Sequence, residues 1–274
     1  MYDGSIASIT PNVCRLFGVG NPSLVEEPAV NAVVEYASRA LGDLPVERCL
    51  IYCPDALGDQ IWSKSAEHVA AIVACTALQL HVSSVVPPKT PVCFASVFTG
   101  APPQRHGIRK YERPVLTCDT LIDALLRAEK RVAIVAVRDS SIDLLFRGRR
   151  IDYFSETYDR EVTERALAVI AADTHHLVVV YHQEYDDLLH KTHPHSDVCM
   201  QAVAHHVQSF EILARAAQRA WSAHNRSIIF APDHGAHTDP ATGKGDHGLD
   251  IPEDMSLRHW YGIWRGIPMI ADPK

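Results

Sequence analysis

The chain has 274 residues, of which 47% are hydrophobic and 22% charged, and its formal net charge at pH 7 is -7. A chain of this length and composition can bury a large core as one α/β domain over residues 1–274. Its acidic balance, without Lys and Arg clusters interleaved with aromatic residues, argues against duplex nucleic acid as the main partner.

The N-terminus and the cysteines indicate where the protein resides. The first residues lack a basic start followed by a continuous apolar run, so they do not resemble a signal peptide. The stretch 69–86 is too short and too polar to span a membrane, and no membrane association is expected. Seven scattered cysteines, mostly in apolar segments, are typical of reduced thiols. We therefore expect a cytoplasmic protein, whereas its oligomeric state is not indicated.

Short apolar runs alternate with helical patterns along the chain. The predicted strands, in chain order, are 48–53, 81–86, 131–137, 177–181 and 227–231, with a further candidate at 267–271. The predicted helices cover residues 59–78, 91–99, 117–129, 158–172 and 196–224. This alternation predicts a mostly parallel central sheet sandwiched between helices. Only the segments 138–157 and 249–265 have the length and position to form a minimal cap.

Side chains of the kinds that bind metals or attack phosphorus follow four of the predicted strands. In chain order they are Asp55, Thr90, Asp186, His190, Asp233 and His234. In parallel α/β sheets the chemistry lies beyond the carboxyl ends of the strands, so these side chains are expected to share one site.

The segment APDHGAHTDPATGKGDHG, residues 231–248, is the most distinctive part of the sequence. It offers Asp233 and His234 at a strand end and His247 after a polar, Gly-rich loop. Carboxylate together with imidazole suits zinc or manganese better than calcium. Taken alone, the segment is also compatible with a solvated loop that contains incidental histidines, and the other strand ends favour the metal site.

The segment 181–196 holds a second candidate pair. Asp186 and His190 stand four residues apart, so that on a helical turn they share one face and can chelate one ion. Asp187 is adjacent and could replace Asp186. The alternative is a polar loop before the helix predicted from residue 196.

Thr90 precedes Pro91, a residue favoured at the first position of a helix. Thr90 is therefore predicted to be the N-cap of that helix, with its hydroxyl where free backbone N–H groups can hold phosphate oxygens. A cap without any catalytic role is the alternative interpretation.

The sequence from Lys89 to Ile108 resembles the nucleophile region of the alkaline phosphatase superfamily. The resemblance is closest to the branch with the nucleotide pyrophosphatase/phosphodiesterases, also called type I phosphodiesterases. The matching positions, in order, are Lys89-Thr90, Thr99-Gly100, Pro103 and His106-Gly107-Ile108. The other motifs of the family match Asp55, Asp186 with His190, Asp233-His234-Gly235 and His247. Together these matches extend over residues 48–248.

The resemblance implies two divalent metal ions per chain, zinc or manganese, and Thr90 as the nucleophile. One ion would be bound by Asp186, His190 and His247. The other would be bound by Asp55, Asp233, His234 and the Thr90 oxygen. The expected substrate is a small-molecule phosphate mono- or diester, cleaved through a phosphothreonine or nucleotidyl-threonine intermediate. Lys89 and His237 are candidates for contacts with that substrate.

The sequence departs from the family pattern at two positions that bear on specificity. Ala56 stands where many relatives have Gly, and Cys93 stands where the diesterases often have a phosphate-binding Asn. The choice between monoesters and diesters therefore stays open, whereas the absence of a Cys-x-Pro-x-Arg motif argues against a sulfatase. The alternatives are a phosphomutase, a hydrolase of carbon–phosphorus bonds like phosphonoacetate hydrolase, and a non-catalytic metal-binding relative. The scarcity of cap residues favours hydrolysis over phosphomutase chemistry.

Overall fold

The computed structural model describes residues 2–267, and their helices and strands follow in chain order. The first half contains β1 (Gly4–Ser5), α1 (Ile9–Phe17), α2 (Asn31–Leu41), β2 (Arg48–Pro54), α3 (Asp59–Trp62), α4 (Ala66–Ala74), β3 (Leu78–Ser83), α5 (Thr90–Thr99), α6 (Pro103–His106), α7 (Leu121–Arg127) and β4 (Val132–Val137). The second half contains α8 (Ser141–Leu145), β5 (Asp152–Glu156), α9 (Asp159–Ala172), β6 (Leu177–His182), α10 (Glu184–Leu189), α11 (Asp197–Ala220), β7 (Arg226–Phe230), β8 (His237–Thr238), β9 (Gly245–Asp246), α12 (Pro252–Met255) and β10 (Ser256–Trp264).

Eight strands form the central sheet in the order β1-β3-β10-β7-β2-β6-β4-β5. β10 runs antiparallel to both of its neighbours, and the other neighbouring pairs are parallel. The register places Cys49 of β2 opposite Leu177 of β6 and Ser227 of β7. The carboxyl ends of β7, β2 and β6 therefore lie side by side, and the prediction of a mostly parallel sheet is confirmed.

Helices cover both faces of the sheet because its strands are apolar on both faces. Along β2 the side chains alternate between two hydrophobic clusters: Ile51 belongs to the cluster under α1, α2, α5 and α7. Leu50 and Tyr52 belong to the opposite cluster, under α4, α9 and α11. Successive side chains of a strand point to opposite faces, so a strand that is buried on both faces forms a continuous apolar run.

Several predicted element boundaries are wrong. The helix predicted over 59–78 is two short helices, α3 and α4, and its last residue already belongs to β3. The second strand spans Leu78–Ser83 instead of 81–86. It pairs with β1 on one side and β10 on the other, and every second side chain from Leu78 is turned towards the core. The helices α1 and α2 were not predicted. The candidate strand 267–271 lies outside the described residues, apart from its first position.

Each of the two segments considered for a cap contributes a strand to the sheet. Residues 256–264 form β10, which lies inside the sheet between β3 and β7. Residues 138–157 contain α8 and β5, and β5 pairs with β4 at the edge of the same sheet. Trp260 of β10 is buried in the core, since the indole packs against Trp62 and Phe230.

Two further properties concern the chain between residues 2 and 267. No helix in this part has both the length and the apolar character that crossing a membrane would require. The seven cysteines carry free thiols, and all except the partly exposed Cys118 are buried.

Candidate metal centre

The predicted ligands lie at the carboxyl ends of three adjacent strands. Asp55 directly follows β2, Asp233 lies three residues beyond the end of β7, and Asp186 is on α10, the short helix after β6. These strands are neighbours in the order β7-β2-β6. Thr90 is the first residue of α5, whose N-cap is Lys89. The prediction that Thr90 is itself the N-cap is therefore off by one residue, within the usual uncertainty of helix ends.

One group of ligand atoms surrounds His234. Its Nε2 lies 3.4 Å from Asp55 Oδ1, 3.5 Å from Asp233 Oδ2 and 3.3 Å from Thr90 Oγ1. All four side chains are buried, with Thr90 at 5% exposure. A tetrahedral zinc ion with bonds of about 2.0–2.1 Å separates its ligand atoms by about 3.3–3.4 Å. The group therefore has the spacing that one such ion requires.

A second group has the same spacing. Asp186 Oδ1 lies 3.4 Å from His190 Nε2 and 3.4 Å from His247 Nε2, and the two imidazole nitrogens are 3.2 Å apart. The rings of His234 and His247 stack with their centroids 4.1 Å apart, which joins the two groups. The structure thus brings together all seven residues predicted for the metal site, including Thr90.

The orientation of the histidine rings also suits metal binding. The Nδ1 atoms of His190, His234 and His247 lie 3.1, 2.9 and 2.9 Å from the backbone carbonyls of Gly245, Gly235 and Pro88. A carbonyl only accepts hydrogen bonds, so each Nδ1 carries the proton and each Nε2 presents its lone pair to the group. Histidine ligands of metal sites are commonly fixed by such a hydrogen bond from the other ring nitrogen.

Three carboxylate oxygens of the centre lack hydrogen-bond partners although they are buried: Asp55 Oδ1, Asp186 Oδ1 and Asp233 Oδ2. Buried polar atoms are normally satisfied, and leaving one unpaired is costly. These are the oxygens that face the histidine nitrogens. A divalent cation would satisfy them, and the donor set of carboxylate and imidazole fits zinc or manganese.

Burial shapes the protonation of the centre. Burial, followed by repulsion from Asp233, raises the pKa of the Asp55 carboxyl well above its ordinary value. Burial likewise raises the pKa of Asp233, and it lowers the pKa of His234. Burial opposes ionisation of Asp186 as well, but the nearby imidazoles of His190 and His247 outweigh burial and lower the pKa of its carboxyl. A bound cation would reverse the proton preference of Asp55 and Asp233.

Several residues that sequence reasoning missed hold the ligands in place. The Tyr181 hydroxyl, at the end of β6, donates a hydrogen bond to Asp55 Oδ2. The backbone N–H of Ala56 donates to Asp233 Oδ1 at 3.3 Å. Gly235 allows the backbone to approach closely, since a Cβ there would lie 2.0 Å from the Glu253 carbonyl oxygen. A buried tyrosine within an apolar strand carries no signal of such a role.

The structure separates the remaining candidates. Asp187 accepts hydrogen bonds from Tyr158 and Gln183 and lies outside the ligand group, which favours Asp186 as the ligand. Lys89 donates from Nζ to the backbone carbonyl of His247 at 3.0 Å.

His237, a predicted substrate contact, is placed differently. Its Nδ1 is 2.8 Å from Asp254 Oδ1, and the side chain lines a cavity other than the one that contains Thr90. Cys93 lies fully buried one helical turn after Thr90, with its thiol 3.3 Å from the Ser84 hydroxyl.

A third cluster, not predicted from the sequence, lies beneath α10 and consists of Asp159, His182 and His206. Here His206 Nε2 accepts the backbone N–H of Tyr185 at 3.2 Å, so the proton is on Nδ1, the nitrogen that faces the cluster. Tyr52 lies between the two imidazoles, 2.9 Å from His182 Nδ1 and 3.2 Å from His206 Nδ1. A protonated nitrogen cannot bind a metal, so this cluster is organised by hydrogen bonds.

The fold is the three-layer α/β architecture of the alkaline phosphatase superfamily, as the resemblance in sequence implied. Among similar solved structures is an inactive variant of murine ectonucleotide pyrophosphatase/phosphodiesterase 5 in complex with AMP. Its TM-score is 0.58 at 16% identity, covering 70% of this chain and 58% of that chain. Phosphonoacetate hydrolase from Sinorhizobium meliloti, in complex with phosphonoformate, has a TM-score of 0.51 at 20% identity, covering 72% and 59%.

A third similar structure is the C-terminal periplasmic domain of EptC from Escherichia coli, in complex with zinc. Its TM-score is 0.58 at 12% identity, covering 81% of this chain and 73% of that chain. The present chain spans less than two thirds of the length of the first two proteins. No family model matches the sequence, and no curated protein sequence matches it.

Proposed function

We propose that the protein is a metal-dependent hydrolase of small phosphate mono- or diesters that works in the cytoplasm and uses Thr90 as its nucleophile. One observation carries the proposal: two groups of three ligands, each with its atoms within 4.8 Å of one another, converge beside the Thr90 hydroxyl. Similar folds include proteins described as a phosphodiesterase, a phosphonoacetate hydrolase and a zinc complex, which supports the proposal.

The proposed reaction assigns a task to each part of the site. Asp55, Asp233 and His234 would hold one divalent ion, and Asp186, His190 and His247 a second one. Their positive charge would lower the pKa of the Thr90 hydroxyl and stabilise the phosphate oxygens. Thr90 Oγ1 forms a bond to phosphorus while the bond from phosphorus to the leaving oxygen breaks, and the leaving group takes up a proton. Water then attacks phosphorus and the bond from phosphorus to Thr90 Oγ1 breaks. Phosphate leaves from a phosphothreonine, or a nucleoside phosphate from a nucleotidyl-threonine, and a proton from the water returns to Thr90 Oγ1.

The placement of Thr90 supports its role as nucleophile. It begins α5, so the free backbone N–H groups of the first helical turn lie beside it and can donate to phosphate oxygens. Its oxygen is within 3.3 Å of a ligand nitrogen and at the wall of a cavity of about 150 Å³ that also contains Asp55 and Asp186. Thr90 thus carries the one hydroxyl among the three side chains placed around His234 Nε2.

The test combines elemental analysis with a substrate panel. We expect about two zinc or manganese ions per chain, and turnover of p-nitrophenyl phosphate or its bis-ester that a chelator abolishes. Thr90→Ala should lower turnover by more than about a thousandfold and retain most of the metal. Thr117→Ala, an exposed threonine outside the site, is the matched control and should retain activity. Near-full activity of Thr90→Ala would show that another group is the nucleophile.

Three alternatives give different outcomes in the same panel. A phosphomutase must shield its intermediate from water. Residues 152–156 and 256–264, within the two segments considered for a cap, are strands of the sheet, which favours hydrolysis. Conversion of a sugar phosphate to its isomer would support the mutase. Release of phosphate from phosphonoacetate would support cleavage of a carbon–phosphorus bond, and bound metal without any turnover would support a non-catalytic relative.

A further inference from the structure

The cavity that contains Thr90 also has a cationic part, formed by Arg113 and Arg138 and called here the arginine wall. Asp55, Asp186 and Tyr111 line the same cavity. Arg138 follows β4, and the sheet order places β4 next to β6 and two strands away from β2. Neighbouring strands are about 4.8 Å apart, so the backbone of Arg138 begins about 10 Å from that of Asp55. The arginine is therefore near enough to line the same cavity as the ligands.

The two guanidinium groups are fixed but their charges are not neutralised by carboxylates. Arg113 donates to the backbone carbonyl of Asp139, and Arg138 Nη2 donates to the carbonyl of Ser155 at 2.8 Å. Within residues 2–267 neither arginine forms an ion pair. Asp139 and Asp187 also line the cavity.

Both arginines keep free N–H groups. Asp187 accepts its hydrogen bonds from Tyr158 and Gln183 and forms no ion pair with either arginine. The guanidinium of Arg113 lies 5.9 Å from the centre of the Tyr111 ring, a contact that orients it without reducing its charge. Arginine held in this way is suited to bind carboxylate or phosphate through paired N–H groups.

The cavity is small. Its volume is about 150 Å³, whereas ligand sites in proteins commonly measure about 300–1,000 Å³. That volume suits a phosphoryl group with a leaving group of a few atoms.

We infer that Arg113 and Arg138 form an anion subsite, and that the substrate is a small phosphate ester whose leaving group carries a second anionic group. This inference rests on the proposed function, because it places the phosphoryl group beside Thr90. The second anion would lie at the arginine wall and bind by charge-assisted hydrogen bonds. A carboxylate and a second phosphate share this chemistry.

The test compares substrates of similar size that differ in charge. We would measure kcat and KM for 2-phosphoglycolate, ethylene glycol bisphosphate and ethyl phosphate with the metal-loaded protein. Either charged ester should exceed ethyl phosphate in kcat/KM by about tenfold or more, the effect expected for a charged hydrogen bond. The first two substrates distinguish a carboxylate from a phosphate as the second anion.

The variants test whether the arginines cause the preference. Arg113→Gln and Arg138→Gln should each reduce kcat/KM for the preferred charged ester by about tenfold, mainly through KM, and leave ethyl phosphate unchanged. Arg219→Gln, an exposed arginine on α11 outside the cavity, is the matched control. Metal content and melting temperature of each variant show that the fold is retained.

The possible results separate the inference from the function on which it rests. If no ester is turned over by the metal-loaded protein, the proposed function fails. If ethyl phosphate is turned over as well as the charged esters, the function stands and the anion subsite is overturned. Equal losses on all three esters in the arginine variants, or faster turnover of nucleotide esters than of the small ones, would also overturn it.

Discussion

Ala56 shows how a single backbone conformation serves the centre. The residue has φ of 63°, the left-handed region, and is fully buried directly after the ligand Asp55. This conformation directs its N–H towards Asp233, the carboxylate of the same ligand group. This region costs a residue with a Cβ about 1–2 kcal/mol, whereas Gly adopts it freely.

Replacement of Ala56 by Gly should therefore be tolerated. Relief of the left-handed conformation offsets the greater flexibility of Gly in the unfolded chain, so the free energy of unfolding should change by less than about 1 kcal/mol. Ala214→Gly, at a buried position inside α11, should instead destabilise by about 1 kcal/mol or more. Chemical denaturation measures both variants. Equal losses at the two positions would show that the backbone at Ala56 is not strained.

At the scale of elements, α10 connects the sheet to the metal ligands. It has 6 residues and carries Asp186, with His190 at its C-terminal end. A helix this short is not stable alone. Its free N-terminal N–H groups are held by side-chain acceptors. The Asp159 carboxylate accepts hydrogen bonds from the backbone N–H groups of Gln183 and Glu184 at 3.0 and 2.9 Å, and His206 Nε2 accepts one from that of Tyr185. The third cluster therefore acts as an anchor for the helix.

Loss of that anchor should weaken metal binding. His206→Leu removes the acceptor of the Tyr185 N–H, and we expect metal affinity to fall by about tenfold, as for other residues that support ligands. His206→Gln retains an acceptor at a similar distance and should recover part of the affinity. Competition with a chelator measures the metal affinity. Gln201 is exposed on α11, the helix that also carries His206, and Gln201→Leu serves as the control. If His206→Gln binds metal no more tightly than His206→Leu, the contribution of His206 is packing alone.

For the whole molecule, metal binding and folding are linked through the buried carboxyls. Without metal, the raised pKa values of Asp55 and Asp233 mean that the folded state keeps protons which the unfolded state loses above pH about 4. The stability contributed by these two groups is therefore present at low pH and lost as pH rises. Bound metal requires the ionised forms and replaces those protons.

The stabilisation by metal should consequently increase with pH. We expect the difference in melting temperature between metal-loaded and chelator-treated protein to widen from pH 5 to pH 8. Asp55→Asn removes one of the two carboxyls, so the difference in melting temperature should change less with pH in this variant. A difference that is constant, or larger in acid, would contradict the assignment of these carboxyls as metal ligands.

Much of the architecture could be predicted because it depends on local pattern. The strands β2, β4, β6 and β7 are apolar runs, and each was predicted to within a residue or so of its observed bounds. β10 was missed because Arg258 and His259 interrupt its apolar character. In the structure Arg258 pairs with Asp59, and His259 Nε2 donates to the carbonyl of Pro232 at 2.8 Å, so the charge of Arg258 and the Nε2 proton of His259 both have partners.

The candidate site was predictable in its ligands and not in its supporting residues. Asp, His and Thr at strand ends are rare enough to stand out, and the family motifs repeat them in order. Arg113 and Arg138 are ordinary surface residues in the sequence. Asp159, His182 and His206 are dispersed along the chain, so no spacing relates them. Each acquires a role only through a neighbour that is distant in sequence.

By itself, the sequence determined which segments become buried strands and which side chains follow them, since hydrophobic period and residue chemistry act over a few neighbouring residues. Only the tertiary structure decided that β7, β2 and β6 are adjacent and that Nε2 of each histidine in the two ligand groups faces a carboxylate. It also decided that Arg113 and Arg138 line the cavity that contains Thr90. The physical reason is that strand order, register and side-chain orientation follow from packing among residues far apart in the chain.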